Sequence, residues 1–188
     1  MSENKPVRRR RRADADRSRT AILDAAVVLL DEQPDASLER IAEVARVTRQ
    51  TVYAHFSSRE VLLNAVLDEL TRETLEGIDA LGLDEGPALD KLLRLINLSW
   101  RMFEQHPLLL HVPQTADERH DPVIERFVKL IRRGQRAGEI TRELPVDWLV
   151  TALIALGHAA GESVAAGRLS TRTASKTLNA TITRLLKP

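Results

Sequence analysis

Residues 37–58 read SLERIAEVARVTRQTVYAHFSS, and this stretch constrains the fold more than any other. Leu38, Ile41, Ala42 and Ala45 recur at the three- and four-residue spacing of one helix face. After Arg46, Val47 and Thr48 the spacing starts again with Val52 and Phe56. Ser37 and Thr48 stand where N-cap hydroxyls are needed, before the first helical amides. Two short helices, about 38–45 and 49–56, are therefore expected, with almost nothing between them.

The same period rules the rest of the chain. Apolar residues recur at three and four and never strictly at two, so no strand is expected. A first helix is expected over about 16–31, ended by Pro34 because the residue before a proline avoids the helical region. Ser57 to Glu60 reads as a capping box, Ser57 capping the Glu60 amide. It opens a fourth helix reaching about Glu76, with Val61, Leu62, Ala65, Val66 and Leu70 inward. A glycine-rich connector leads to a fifth helix, about 87–105, stopped by His106-Pro107. Residues 107–120 suggest a short helix or two with loops. Asp121-Pro122 opens the next helix, which ends between Gly134 and Gly138. Pro145 opens another, closed by Gly167, and Ser170 caps a last one running to Leu186. The expectation is an all-α chain of three short helices followed by six. A disordered basic arm takes residues 1–15, a three-helix head 16–59 and a larger body 60–188.

Charge is unevenly spread. Residues 1–12 hold Lys5 and Arg8 to Arg12 against Glu3, a balance of +5, so a total of +1 leaves −4 for the remainder. A basic tail on a near-neutral body suits a polyanion partner. No apolar segment follows the arginines, so no signal peptide is expected and the reading is cytoplasmic. Residues 148–167 come nearest to a membrane span, but His158 and Glu162 interrupt them, and a buried helix is expected instead. The chain has no cysteine, which excludes disulfides, thiolate zinc sites and a cysteine nucleophile.

Two short helices joined by a tight turn form a helix-turn-helix, whose second helix enters the DNA major groove. Ala42 is small where the helices cross, Val47 tucks under the turn, and Val52 and Phe56 anchor the second helix. Arg49, Gln50, Thr51, Tyr53 and His55 are left on its outer faces. Arg49 suits guanine O6 and N7, and Gln50 suits adenine N6 and N7. Thr51, Tyr53 and His55 suit phosphates, which set register without reading sequence. Ser37, Thr48 and Arg59, with the first amides of the third and fourth helices, complete a candidate phosphate set. Arg8, Arg9, Arg10, Arg11 and Arg12 suit an arm in the minor groove.

Residues 16–70 resemble the N-terminal domain of the TetR family of transcriptional repressors. The stretches AILDAAVVLLDEQ and SLERIAEVARVTRQTVYAHFSSREVLLNAVL carry the likeness. The family pattern Thr-x-Tyr-x-His-Phe with a basic residue three further on stands here as Thr51, Tyr53, His55, Phe56 and Arg59. The resemblance implies a homodimer on a palindromic operator, repression, and release by a small molecule bound in the C-terminal domain. Two positions depart from the pattern. Arg46 stands where the family has a turn glycine, and Gln50 stands at another common glycine site. A left-handed backbone costs arginine about 1 kcal/mol.

In the body, Leu67, Leu92, Leu95, Ile96, Trp100, Phe103, Phe127, Leu130 and Trp148 are expected to wall an apolar inducer cavity. Ser99, His106, His111 and His158 are its candidate polar contacts. With no cluster of charge in that set, a hydrophobic or weakly cationic inducer fits better than a phosphate-rich one. The last two helices carry the expected two-fold interface, through Leu153, Leu156, Gly157, Ala160, Gly161, Val164, Leu178, Ile182 and Leu185. The spacings of His106, His111 and His120 match no helical ligand pair, so neither metal nor cofactor is expected. No glycine-rich phosphate loop, nucleophile elbow or apolar carboxylate pair supports an enzyme. The alternative reading is a DNA-binding regulator whose body only dimerises or binds a protein.

Overall fold

The computed structural model describes residues 5–110 and 121–188, without the side chains of residues 5–12 and 110. Among them there are eight α-helices, one 3₁₀ turn and no strand. The helices are α1 (Lys5–Glu32), α2 (Leu38–Val44), α3 (Arg49–His55), α4 (Arg59–Asp79), α5 (Ala88–Gln105), α6 (Asp121–Ala137), α7 (Val146–Ala165) and α8 (Thr171–Leu186). The 3₁₀ turn, Pro107–Leu110, follows α5. His111 and His120 lie outside the described residues.

Four expectations are corrected. α1 begins at Lys5, not near Asp16, so the backbone of the expected disordered arm is helical from there on. Extending a helix already anchored by Ile22, Ala26 and Leu30 needs no new nucleus, and arginine and alanine are good helix formers. The chain divides after Leu70 rather than after Arg59, with Thr71–Pro188 as the second compact unit. Leu62, Val66, Leu67 and Leu70 are all buried, so the first half of α4 completes the core of the first unit. Val61, expected inward, is 44% exposed. The cap of α4 is Ser58, whose Oγ accepts from the Val61 amide at 3.2 Å, one residue later than the expected box.

In the first unit Ile22, Leu30, Ile41, Val52, Phe56 and Leu62 are almost wholly buried. They pack α1, α2 and α3 against one another. The turn between α2 and α3 closes with the Val47 amide on the Ala42 carbonyl (3.0 Å) and the Arg46 amide on that of Glu43 (3.1 Å). That pairing demands a left-handed residue after the cap, and Arg46 takes it at φ +56°.

In the second unit α5, α6, α7 and α8 share one core of Leu92, Leu95, Trp100, Ile131, Leu149 and Ile182. Gly134 lets Ile140 lie across α6: a Cβ there would stand 2.5 Å from Ile140 Cδ1. α7 is long and apolar enough to cross a membrane by length and composition. It was expected to be buried, yet only 22% of its apolar window is buried. Its exposed residues include the apolar Trp148, Ala155, Ala159 and Ala165 beside Asp147, Thr151 and Glu162.

Candidate nucleic-acid interface

The helix-turn-helix is built from caps outward. Ser37 Oγ accepts from the Arg40 amide at 3.2 Å and starts α2. Thr48 Oγ1 accepts from the Thr51 amide at 3.1 Å and starts α3, and the two threonine hydroxyls lie 2.8 Å apart. Val52 is fully buried and Phe56 is 2% exposed, so α3 is pinned along one side. Arg49, Gln50 and Tyr53 are exposed on the other, with Thr51 partly so. The arrangement offers a fork, an amide, a hydroxyl and a phenol on one surface, as base and phosphate contacts require.

Not every expected contact is at liberty. His55 Nε2 lies 2.8 Å from Ser18 Oγ, which ties the end of α3 to α1. Arg59 donates from Nε to the Ala36 carbonyl at 3.2 Å and from a second guanidinium nitrogen to that of Pro34. It clasps the loop before α2. Ser37 and Thr48 act first as caps. Arg8 to Arg12 sit on the helical backbone of α1, and their side chains lie outside the described ones.

Two residues not singled out from the sequence enter the site. Glu39 Oε1 pairs with Arg49 Nη2 at 2.9 Å, and the Arg49 guanidinium lies 5.3 Å from the centre of the Tyr53 ring. A hydrogen bond at its own backbone position holds the Glu39 carboxyl below its usual value, with Ser37, Arg49 and Tyr53 lowering it further against burial. Tyr53, then Glu39, raises Arg49. Opposite charges on the first turns of the two crossing helices were the available signal for Glu39. Nothing in sequence links Ser18 to His55.

In the body, the expected cavity wall separates. Leu92, Leu95, Ile96, Trp100, Phe127 and Leu130 pack together in the core. Phe103 is half-buried, and Leu67 belongs to the first unit. Trp148 is 59% exposed, because it sits on the first turn of α7 beside the buried Leu149 and points the other way. Ser99 Oγ donates to the Leu95 carbonyl of its own helix at 3.1 Å. His106 caps α5, its amide on the Met102 carbonyl at 2.8 Å, and His158 is half-buried on α7. A depression of about 530 Å³ beside Leu130 is instead rimmed by charge: Arg126 pairs with Asp79 (2.9 Å) and Lys129 with Asp84 (2.5 Å).

The expected interface also divides. Leu153, Gly161, Leu178 and Ile182 are buried within the chain. Leu156, Ala160, Val164 and Leu185 flank the core, only partly covered. Gly157 is half-buried, and a Cβ there would meet nothing within 4 Å.

Comparison with known proteins settles the family. The family model for bacterial regulatory proteins of the tetR family matches residues 22–66, the stretch holding α2, α3 and their supports. The HTH-type transcriptional repressor SCO4008 of Streptomyces coelicolor is 30% identical over 158 residues, 77% of this chain and 79% of that protein. The chain belongs to the TetR family. It is a DNA-binding transcription regulator and not an enzyme. The HTH-type transcriptional repressor LfrR of Mycolicibacterium smegmatis is 28% identical over 160 residues, 81% of this chain and 82% of the relative. The crystal structure of LfrR with proflavine matches at TM-score 0.67 and 25% identity, over 92% of this chain and 98% of that one. The fatty acid degradation regulator FadR of Bacillus halodurans shares the fold at TM-score 0.74 and 19% identity, over 88% and 94%.

Proposed function

We propose that the protein represses transcription as a homodimer on a palindromic operator and is released by a small apolar or weakly cationic inducer, in the cytoplasm. The observation that carries this reading is the outer surface of α3. Arg49, Gln50, Thr51 and Tyr53 stand over a helix anchored by Val52 and Phe56. A surface of that kind, pinned behind and polar in front, suits a duplex better than a protein groove.

The similarity to repressors supports the sign of regulation. The LfrR structure with proflavine, a flat aromatic cation, supports the class of inducer. Leu92, Leu95, Ile96, Trp100, Phe127 and Leu130 fill one another's space here. An inducer entering among them must part these side chains, and so favours a second conformation. α4 runs unbroken through the junction at Leu70 and Thr71 and is the route by which such a change reaches the head. The uncovered apolar face of α7 supports the homodimer.

The test is footprinting of the purified protein on the DNA flanking its own gene, repeated with flat aromatic cations added. A protected palindrome lost on addition of such a compound is expected. Protection of no sequence at all would end the operator reading; protection unmoved by every compound would end the inducer reading.

A further inference from the structure

We infer that Glu39 is a specificity-determining residue, which positions Arg49 for one base pair and keeps it from serving as a general phosphate anchor. The inference rests on the DNA-binding reading above and deepens it.

Two contacts hold the Arg49 guanidinium although its side chain is 66% exposed. Tyr53 lies under its plane, 5.3 Å from guanidinium carbon to ring centre. Glu39 holds Nη2 at 2.9 Å. The backbone is fixed as well, because Arg49 follows the capped Thr48. A guanidinium held at one end and backed by a ring presents its remaining donors in one direction. Recognition of a guanine edge needs such a fork in one plane, and ordering it beforehand removes part of the entropy cost of binding.

An exposed ion pair contributes little in water. Against a duplex the water leaves and the local dielectric falls, so the same pair matters more. The carboxylate also has a cost that depends on where Arg49 goes. If Arg49 swings to a phosphate, Glu39 is left facing a polyanion with its partner gone. If Arg49 stays and reads a base edge, the pair stays neutral. Glu39 therefore penalises the sequence-blind mode and spares the sequence-reading one. Other charges near it do not replace it: Arg40 pairs with Glu43 at 2.7 Å on the same helix.

The experiment selects duplexes from a random-sequence DNA library with the wild type, Glu39→Gln, Arg49→Ala and the double variant. Binding to a bulk random duplex is then titrated across salt. Gln keeps the length and shape of Glu at a surface position, and Glu39→Ala is run beside it. The expected result is a wild-type palindrome that loses its preference at one base pair per half-site in both Glu39→Gln and Arg49→Ala. The double variant should lose no more than Arg49→Ala does. Glu39→Gln should bind the random duplex several-fold tighter, with a salt slope steeper by about one per protomer, as Arg49 takes up a phosphate. A Glu39→Gln profile identical to the wild type, or altered at a base pair that Arg49→Ala leaves alone, overturns the inference. A wild type that enriches no sequence overturns the DNA-binding reading itself.

Discussion

Ser18 Oγ lies 2.8 Å from His55 Nε2, joining the middle of α1 to the last residue of α3. The recognition helix is only seven residues long, too short to be stable by its own backbone bonds. Its position is imposed by neighbours. Phe56 holds it from below, with the Arg19 guanidinium 5.5 Å from that ring, and Ser18 holds its end. Ser18→Ala and His55→Ala should each lower stability, and together by less than their sum. The coupling should be about 1 kcal/mol in a denaturant double-mutant cycle. Additive losses would show that the contact contributes nothing to folding.

Arg59 tests the difference between a clasp and a phosphate ligand. It donates to the carbonyls of both Pro34 and Ala36, which lie in the loop leading into α2. Arg59→Ala should cost about 1–2 kcal/mol of stability in thermal or denaturant melts, since two carbonyls lose a charged donor. Arg59→Lys should recover little, because an ammonium lacks the fork. Unchanged melts with weakened DNA binding would return Arg59 to the phosphate set.

How far this was legible from sequence varies with the range of the interaction. Caps, turns and helix faces are local, and Ser37, Thr48, Ser170 and Gly167 sit where the pattern put them. The Thr-x-Tyr-x-His-Phe pattern could mark a candidate site because α3 and its C-cap carry it together. The pairing of Glu39 with Arg49, of Ser18 with His55 and of Arg59 with Pro34 depends on how three helices cross, which periodicity does not encode. Whether the expected cavity wall encloses a space was not legible for a related reason. Large apolar residues at helical spacing read alike whether they line a space or fill it. Trp148 shows the limit: its neighbour Leu149 is fully buried while Trp148 is 59% exposed, and only the rotation of α7 decides between them.

Arg46 occupies a left-handed conformation at φ +56°. Glycine pays nothing there, but it also gives the unfolded chain more freedom. Arg46→Gly should therefore stabilise the protein by a net ~0.5–1 kcal/mol, read as a shift in the denaturant midpoint at constant slope. A loss of stability would mean that the arginine side chain outweighs the strain of its backbone.

Gly134 makes the opposite prediction. It lies in α6, where alanine is normally the better residue, but Ile140 fills the space its Cβ needs, with Cδ1 at 2.5 Å and Cγ1 at 2.7 Å. Ile140 is 1% exposed and has little room to retreat. Gly134→Ala should cost about 1–3 kcal/mol despite its helix propensity. Pairing it with Ile140→Ala should restore part of the loss relative to Ile140→Ala alone, because the shorter side chain clears the clash. A stabilised Gly134→Ala would show that the loop from Gly138 to Ile140 yields freely.

The proposed homodimer rests on α7. Most of its apolar stretch is left uncovered within the chain, although it is apolar enough for a core helix. Leu149, Val150 and Leu153 account for the inward face, while Trp148, Ala155 and Ala159 face outward. A Cβ on Gly157 meets nothing within 4 Å, so packing inside the chain does not explain why that position is small. Close approach by the same helix of a second chain does explain it, on the stripe that Gly157 shares with Leu153 and Gly161 and not on the opposite side that Trp148, Ala155 and Ala159 occupy. Gly157→Arg should leave the fold intact, since the space is open, and drive the mass in light scattering to the 21.1 kDa of one chain. Gly157→Ala should fold as well as the wild type but associate less tightly. Operator affinity should fall with association, because a lone head meets one half-site instead of two. A wild type of 21.1 kDa at micromolar concentration would remove the dimer, and with it the expectation of a palindrome.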